Sequence, residues 1–453
     1  MEIFFEFLSY LEGILMYALA IFFLFLILVS VHEYGHFVAA RKLGVKVLRF
    51  SIGFGKPLIK LVSKRETEFV LATIPLGGYI SMLDTRNQDD IAPEDEHMAF
   101  DKVAPWRQIV IAFAGPFANL LLAACIFWVF GLMGSIELVP YVGQIEEDSP
   151  SYYAELPTGQ EIVAVDGVPV ESWFQFSMVS TRRMGDTGVL TITTNSDAGE
   201  RSFDLPIENF LKGKTPDVFA DLGLQPGYSS VIGVVQTGSA AESAGIQPGD
   251  RIFQIDEHEI TVWSDLTDAI EQSADQAVTI RFIRDGLPYS IEATPQPRET
   301  AEGTTEGFLG VGVQPDTRQV RYGPIGSIQY AFTQTKDFTI LTITSIGKMI
   351  IGKVEASNLA GPLSIGQMAG DLAQRGFRDY WQLIAMLSIS LFLINLLPVP
   401  LLDGGHIVYA AIHMIIRRPI PLTVQRAASM VGIFLLAGLF VFVMFNDVLR
   451  IWG

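Results

Sequence analysis

The segment His32-Glu33-Tyr34-Gly35-His36 (HEYGH) stands inside an apolar run from Met16 to Ala40 that carries no other charge. A run of that length spans a bilayer, so three ionisable groups lie where charge is costly, and groups kept there ask for a function. On a helix the two histidines, at i and i+4, share one face and can hold one metal ion. The glutamate between them is then free to act as general base toward a water that the metal acidifies. This is a zinc-hydrolase signature; the competing structural reading is a buried, hydrogen-bonded histidine pair. A carboxylate far along the chain favours the metal. Trp381–Leu402 is another apolar span, closing in NLLPVPLL (Asn395 to Leu402), with Asp403, Gly404 and Gly405 just beyond. Two prolines unwind such a helix, and Asp403 is the natural third ligand, with His406 the alternative three residues on. Two imidazoles and one carboxylate leave a fourth position open to water, as in catalytic zinc sites. Asn395 is placed to hold a backbone group of an extended substrate.

Working outward, the loops set an orientation. Eight basic residues, from Arg41 to Arg65, precede the first acid, Glu66, so the positive-inside rule puts this loop in the cytoplasm and the N-terminus outside. Glu2, Glu6 and Glu12, with no basic residue near them, argue against a cleaved signal peptide. Val47 to Met82 reads as glycine-containing strands and turns at the membrane surface, able to pair with an unwound peptide. Gln108–Met133 is the second span. Its Gly115, Pro116 and Asn119 read first as a kink with close packing, a direct role at the site staying open. Ile325–Ile351, with Lys336 and Asp337 at its middle, reads as an amphipathic interfacial helix instead of a fifth span. Arg417, Arg418 and Arg426 place the loop after Asp403 on the cytoplasmic side, and Ala427–Phe445 is the last span. Spans one and three thus bring His32, His36 and Asp403 to one depth.

From Gly131 to Tyr380 there are 16 Lys and Arg against 34 Asp and Glu, the whole of the net charge of −18. No basic stripe is present to contact phosphates, which excludes a nucleic-acid partner. The single cysteine, Cys125, excludes an intramolecular disulfide and reads as packing. The acidic segment holds a gap-free repeat at a period of 90: Gly143 with Gly233, Ser149 with Ser239, Ala154 with Ala244, Gly159 with Gly249, Asp166 with Asp256, Trp173 with Trp263. Two copies of one β-rich module follow. They resemble PDZ domains of bacterial proteases, most clearly at SAAESAGIQPGDRIFQID (Ser239 to Asp256). Pro295 to Gly307 reads as a linker edge and Phe308 to Val313 as a short strand.

HEYGH, GPFAN (Gly115 to Asn119), the paired modules and NLLPVPLLDGG together are similar to the site-2 protease family of intramembrane zinc metalloproteases, over nearly the whole chain. The resemblance implies Zn2+ held by His32, His36 and Asp403, Glu33 as catalytic base, and Asn395, Pro398 and Pro400 as substrate-binding residues. It also implies the inner membrane of a Gram-negative bacterium, the paired modules periplasmic and the active site toward the cytoplasm. Its substrates are single-span membrane proteins already trimmed outside, namely anti-sigma factors and remnant signal peptides. The expected fold is a polytopic α-helical membrane protein with four transmembrane helices, a membrane-associated β-region and two inserted β-rich PDZ-like domains. The expected domains are residues 1–133 (helices 1 and 2), 134–221 and 222–308 (PDZ-like), 309–380 (connecting strand and amphipathic helices) and 381–453 (helices 3 and 4). Expected partners are these substrates, membrane lipid, and peptide C-termini at the PDZ-like domains. Two rivals are a membrane scaffold, which would not need Glu33, and a divalent-metal transporter, which would repeat its ligands along a path.

Overall fold

The computed structural model describes residues 2–64, 66–86, 91–196, 199–212, 216–299, 304–354 and 359–452. Two units emerge: Met1–Gly134 with Arg321–Thr344 and Ala356–Gly453, and Ser135–Val320 with Ser345–Glu355.

The first unit opens with helix α1 (Glu2–Lys42), whose last turn carries Arg41 and Lys42, the sign that a helix C-terminus favours. Strands β1 (Val47–Val62) and β2 (Glu68–Met82) then form an antiparallel pair in which each strand bends. Phe50 is paired with Phe69 on one side and Ile80 on the other, so β2 folds round β1. The bends fall where Gly53, Gly55 and Gly77 hold positive φ (88°, 93° and 119°), which a side chain would resist. Segment 78–82 is thereby left as an outer edge. Phe37 of α1 packs against Phe50 and Phe69 at 5.6 and 5.5 Å between ring centroids, fixing the sheet to the helix. Helix α2 (Pro105–Met133) follows, with Pro105 in its first turn and Pro116 inside it. Cys125, expected in packing, is exposed on α2.

The second unit runs β3 (Ser135–Leu138), β4 (Tyr141–Ile145), α3 (Pro150–Tyr153), β5 (Glu161–Val165), β6 (Val168–Pro169), α4 (Trp173–Thr181), β7 (Gly188–Ser196), β8 (Gly199–Ile207), α5 (Val218–Leu222) and β9 (Leu224–Gly227). The order then recurs: β10 (Ile232–Val235), α6 (Ala240–Ala244), β11 (Arg251–Ile255), β12 (His258–Glu259), α7 (Trp263–Glu271), β13 (Val278–Arg284) and β14 (Leu287–Ala293). Four short strands close the segment: β15 (Gln296–Glu299), β16 (Thr305–Phe308), β17 (Val311–Val313) and β18 (Thr317–Val320). The repeated residues have repeated tasks. Ser149 and Ser239 each cap the following helix through Oγ at 3.2 Å. Asp166 and Asp256, both at positive φ, each accept a backbone N–H from the adjoining strand, Thr191 and Thr279. The first sheet has the order β8-β7-β5-β4-β9, so strand Leu224–Gly227 lies beside β4 of the first copy. The expected strand Phe308 to Val313 is broken into β16 and β17 at Gly310, whose φ is +80°. Residues 300–303 of the expected linker edge lie outside the described residues.

Five helices complete the chain: α8 (Pro324–Ile350), α9 (Pro362–Arg375), α10 (Phe377–Asn395), α11 (Asp403–Ile416) and α12 (Leu422–Trp452). Among the described residues four helical stretches are long and apolar enough to cross a membrane: Leu15–Lys42, Pro105–Met133, Phe377–Asn395 and Leu422–Leu449. The α8 helix is not one of them; its buried residues Ser327, Ala331, Gln334 and Phe338 form one stripe, and Phe338 stacks on Phe127 at 5.6 Å. The third span ends at Asn395, short of the expected Leu402, because Pro398 and Pro400 have no N–H to continue the ladder. Within the first unit, Asp447 of α12 caps α9, accepting from the backbone N–H groups of Gly361, Leu363 and Ser364 at 2.9 to 3.1 Å.

Candidate metal centre

His32 and His36 leave α1 one turn apart, their Nε2 atoms 3.2 Å from each other. Asp403, the first residue of α11, meets them both: Oδ2 lies 3.1 Å from His32 Nε2 and Oδ1 3.3 Å from His36 Nε2. Donors at 2.0–2.2 Å from a tetrahedral ion are about 3.3–3.6 Å apart, so the three occupy corners that fit zinc. No other group of three His, Cys, Asp or Glu among the described residues is so arranged. His406, the alternative ligand, lines the same cavity outside that trio, and burial holds its imidazole below the usual range.

Close backbone approach makes the cluster possible. A Cβ on Gly115 of α2 would lie 2.1 Å from His36 Nε2, and one on Gly35 of α1 would lie 2.2 Å from the Ala114 carbonyl oxygen. The glycines therefore let α1 and α2 cross at the site, as small residues do between membrane helices. His36 is buried, and its Nδ1 lies 2.7 Å from the Ile111 carbonyl oxygen, which can only accept. That bond leaves Nε2 bare toward Asp403. On the other element, Asp403 follows a non-helical stretch, 396–402, in which Leu401 has φ +100°. A Cβ on Gly404 would come within 2.2 Å of the Leu397 carbonyl oxygen, and one on Gly405 within 2.5 Å of that of Val399. The glycines after Asp403 allow α11 to start directly against the turn.

Glu33 faces a cavity of about 490 Å3 together with both histidines and Asp403. Its carboxylate accepts a hydrogen bond from the backbone N–H of Ile80, on the outer edge of the bent sheet. A Cβ on Gly78 would fall 2.7 Å from the Ser51 carbonyl oxygen and 3.3 Å from Val29 Cγ1 of α1, so the glycine lets that edge lie against both β1 and α1. Asn395 lines the cavity; Pro398 and Pro400 do not, and form the turn behind Asp403. Asp84, which the sequence did not single out, lines the cavity as well. Asp84 is buried, and although burial raises its pKa, the Arg86 guanidinium beside it brings it below the usual aspartate range. A lone acid in a loop gave no signal for that. Asn119 of α2 reaches His32, a contact of the direct kind that the reading of GPFAN as a kink with close packing left open.

Residues 20–439 match the family model described as Peptidase family M50. The chain belongs to that family. This M50 peptidase is 36% identical over 438 residues to Protease RseP of Yersinia pestis, covering 94% of this chain and 96% of the relative. It is 35% identical over 436 residues to the Regulator of sigma-E protease RseP of Escherichia coli K12, covering 94% and 96%. A Neisseria meningitidis protein bearing the name of a zinc metalloprotease is 37% identical over 445 residues, covering 96% and 99%. The M50 peptidase described here is therefore a zinc metalloprotease of site-2 type, acting within the membrane. Its four apolar helices fit a bacterial inner-membrane protein.

Proposed function

We propose that the protein hydrolyses a peptide bond in or near the transmembrane segment of single-span membrane proteins already trimmed outside, anti-sigma factors and remnant signal peptides among them. The observation that carries this is the convergence of His32, His36 and Asp403 beside Glu33 and an exposed strand edge. In this reading His32, His36 and Asp403 hold Zn2+ and Glu33 is the base. Zinc supplies Lewis acidity to a water and to the scissile carbonyl. Glu33 removes the proton of the attacking water and returns one to the leaving amine. An extended substrate offers its carbonyls, which a helix would hide; segment 78–82 has a free edge to pair with it, and Asn395 is placed to hold a backbone group. Pro398 and Pro400 contribute by fixing the turn. Zinc chelation should stop cleavage of a single-span test substrate by purified protein. Glu33→Gln should retain stoichiometric zinc and lose turnover; loss of metal with that substitution would remove Glu33 from the role of base.

The same reading places the loops around Ser63 inside and the paired modules, PDZ-like in their element order, in the periplasm. The basic residues from Arg41 to Arg65, directly after the first span, support the inner side for that loop, which leaves the modules beyond the second span on the outer side. Their β9 and β17 edges are suited to take peptide C-termini by strand addition. Single cysteines at Ser63 and Ser196, in a Cys125→Ala background, should react with impermeant reagents from opposite faces. Reaction from one face alone overturns the orientation.

A further inference from the structure

Asn119 is fully buried on α2 (0% exposed), and its side-chain Oδ1 has no hydrogen-bond partner among the described residues. Its amide group is aimed at His32, with Nδ2 3.4 Å from Nδ1 of the imidazole. A buried amide oxygen left alone costs about 1–3 kcal/mol, and an amide nitrogen at that distance forms a poor bond. Turning the carboxamide through 180° about its last bond exchanges two atoms of nearly equal size and leaves the packing alone. Oδ1 then receives the Nδ1–H of His32, and the orphaned oxygen is satisfied by the same movement.

The other histidine is already in that state. His36 gives its Nδ1–H to the Ile111 carbonyl oxygen at 2.7 Å and leaves Nε2 bare. Ile111, Gly115 and Asn119 succeed one another at intervals of four along one face of α2: an acceptor, a cleft for the His36 ring, and a second acceptor. In the opposite orientation of the amide, Nδ2 would donate to His32 Nδ1, forcing the hydrogen onto Nε2, the atom 3.1 Å from Asp403. That tautomer has no lone pair to offer a metal.

We propose that Asn119 is a positioning residue for His32, its Oδ1 accepting the Nδ1–H and so fixing the tautomer that presents Nε2 to zinc. The inference rests on the reading of His32 as a ligand. Outer partners of this kind orient metal-binding imidazoles and raise their basicity.

The test measures zinc affinity of the purified full-length protein by competition with a chromophoric chelator. Asn119→Ala should bind zinc about 10- to 100-fold more weakly. Asn119→Asp keeps an acceptor at the same place and should restore the affinity, whereas it would fare as badly as alanine if the amide served as a donor; Asn119→Leu, of similar size without an acceptor, should stay as weak as alanine, and its recovery would show a filler and overturn the proposal. Unchanged affinity in Asn119→Ala, or equal loss in the alanine and aspartate variants with the fold retained, overturns the proposal. If the variants fail to fold, 15N–1H spectra of histidine-labelled wild type decide it, with His32→Gln used for assignment. Hydrogen on Nδ1 of His32 supports the proposal; hydrogen on Nε2 with Nδ1 bare overturns it. A His32→Ala control separates the two readings, since full zinc occupancy there would remove His32 as a ligand whatever Asn119 does.

Discussion

His32 and His36 project from the interior of a 41-residue uninterrupted helix, whereas Asp403 begins a 14-residue helix that is reached through the non-helical stretch 396–402. On the first element regular periodicity places two donors, and the neighbouring helix adjusts them through Ile111, Gly115 and Asn119. On the second, placement comes from exceptions to regular structure: two prolines, a leucine at positive φ, and two glycines pressed against carbonyl oxygens. A helix tolerates changes at most positions on its far side. A turn built from exceptions transmits almost any change to the residue that follows it.

The largest effect expected is from removing the donor at the turn itself. Asp403→Ala should lower zinc content in the purified protein and bring turnover to background, because two imidazoles alone hold the ion poorly. Full zinc occupancy in that variant would transfer the third position to His406, and the contrast between helix and turn would lose its chemical basis. Next come the glycines. At Gly404 the intruding Cβ meets backbone, which cannot rotate away, so Gly404→Ala should reduce both zinc content and thermal stability. At Gly115 it meets the His36 ring, a side chain able to swing, so Gly115→Ala should keep its stability and lose about 100-fold in kcat/KM through misplacement of a reacting group by about an ångström. Equal loss of stability in the two variants would contradict the distinction.

The same contrast decides what was legible in the sequence. The face carrying His32 and His36 was read correctly in its spacing because helix geometry depends on local sequence alone. Asp403 was singled out by residue type, a carboxylate beside two prolines. The end of α10 at Asn395 was misplaced by counting apolar residues to Leu402, since hydropathy does not register where backbone hydrogen bonds stop. GPFAN was read first as a kink with close packing, and Gly115 does pack; the direct role left open beside it could not be assigned to Asn119, because a polar residue in an apolar helix shows its partner only after the fold brings one to it. The bent sheet was legible as strands and glycines but not as a strand paired on both sides, because which edges meet is a long-range matter. In the repeat, by contrast, Ser149 and Ser239 or Asp166 and Asp256 stood out because each recurs at the period of 90; the serine caps act within three residues, whereas the aspartates reach strands 25 and 23 residues on.

The smallest effect sharpens the comparison most, because one substitution should act with opposite sign on the two elements. Leu401 lies in the turn at φ +100° and is 47% exposed, so its side chain contributes little burial while its backbone is strained. Strain of that kind in a residue other than glycine costs about 1–3 kcal/mol, against about 0.5–1 kcal/mol for the greater freedom of glycine in the unfolded chain. Leu401→Gly should therefore stabilise the protein by roughly 1 kcal/mol, read as a rise of about 2 °C in melting temperature. Tyr34 sits between the two histidines on α1 and is 58% exposed, yet its backbone is helical. There glycine relieves nothing and costs about 0.5 kcal/mol of helix propensity relative to tyrosine, so Tyr34→Gly should lower the melting temperature by about 1 °C. Thermal denaturation of the two variants with zinc bound, in the same detergent, is the measurement. Shifts of the same sign would mean that the turn is as relaxed as the helix, and that Asp403 owes its position to the packing of α11 instead of to the backbone before it.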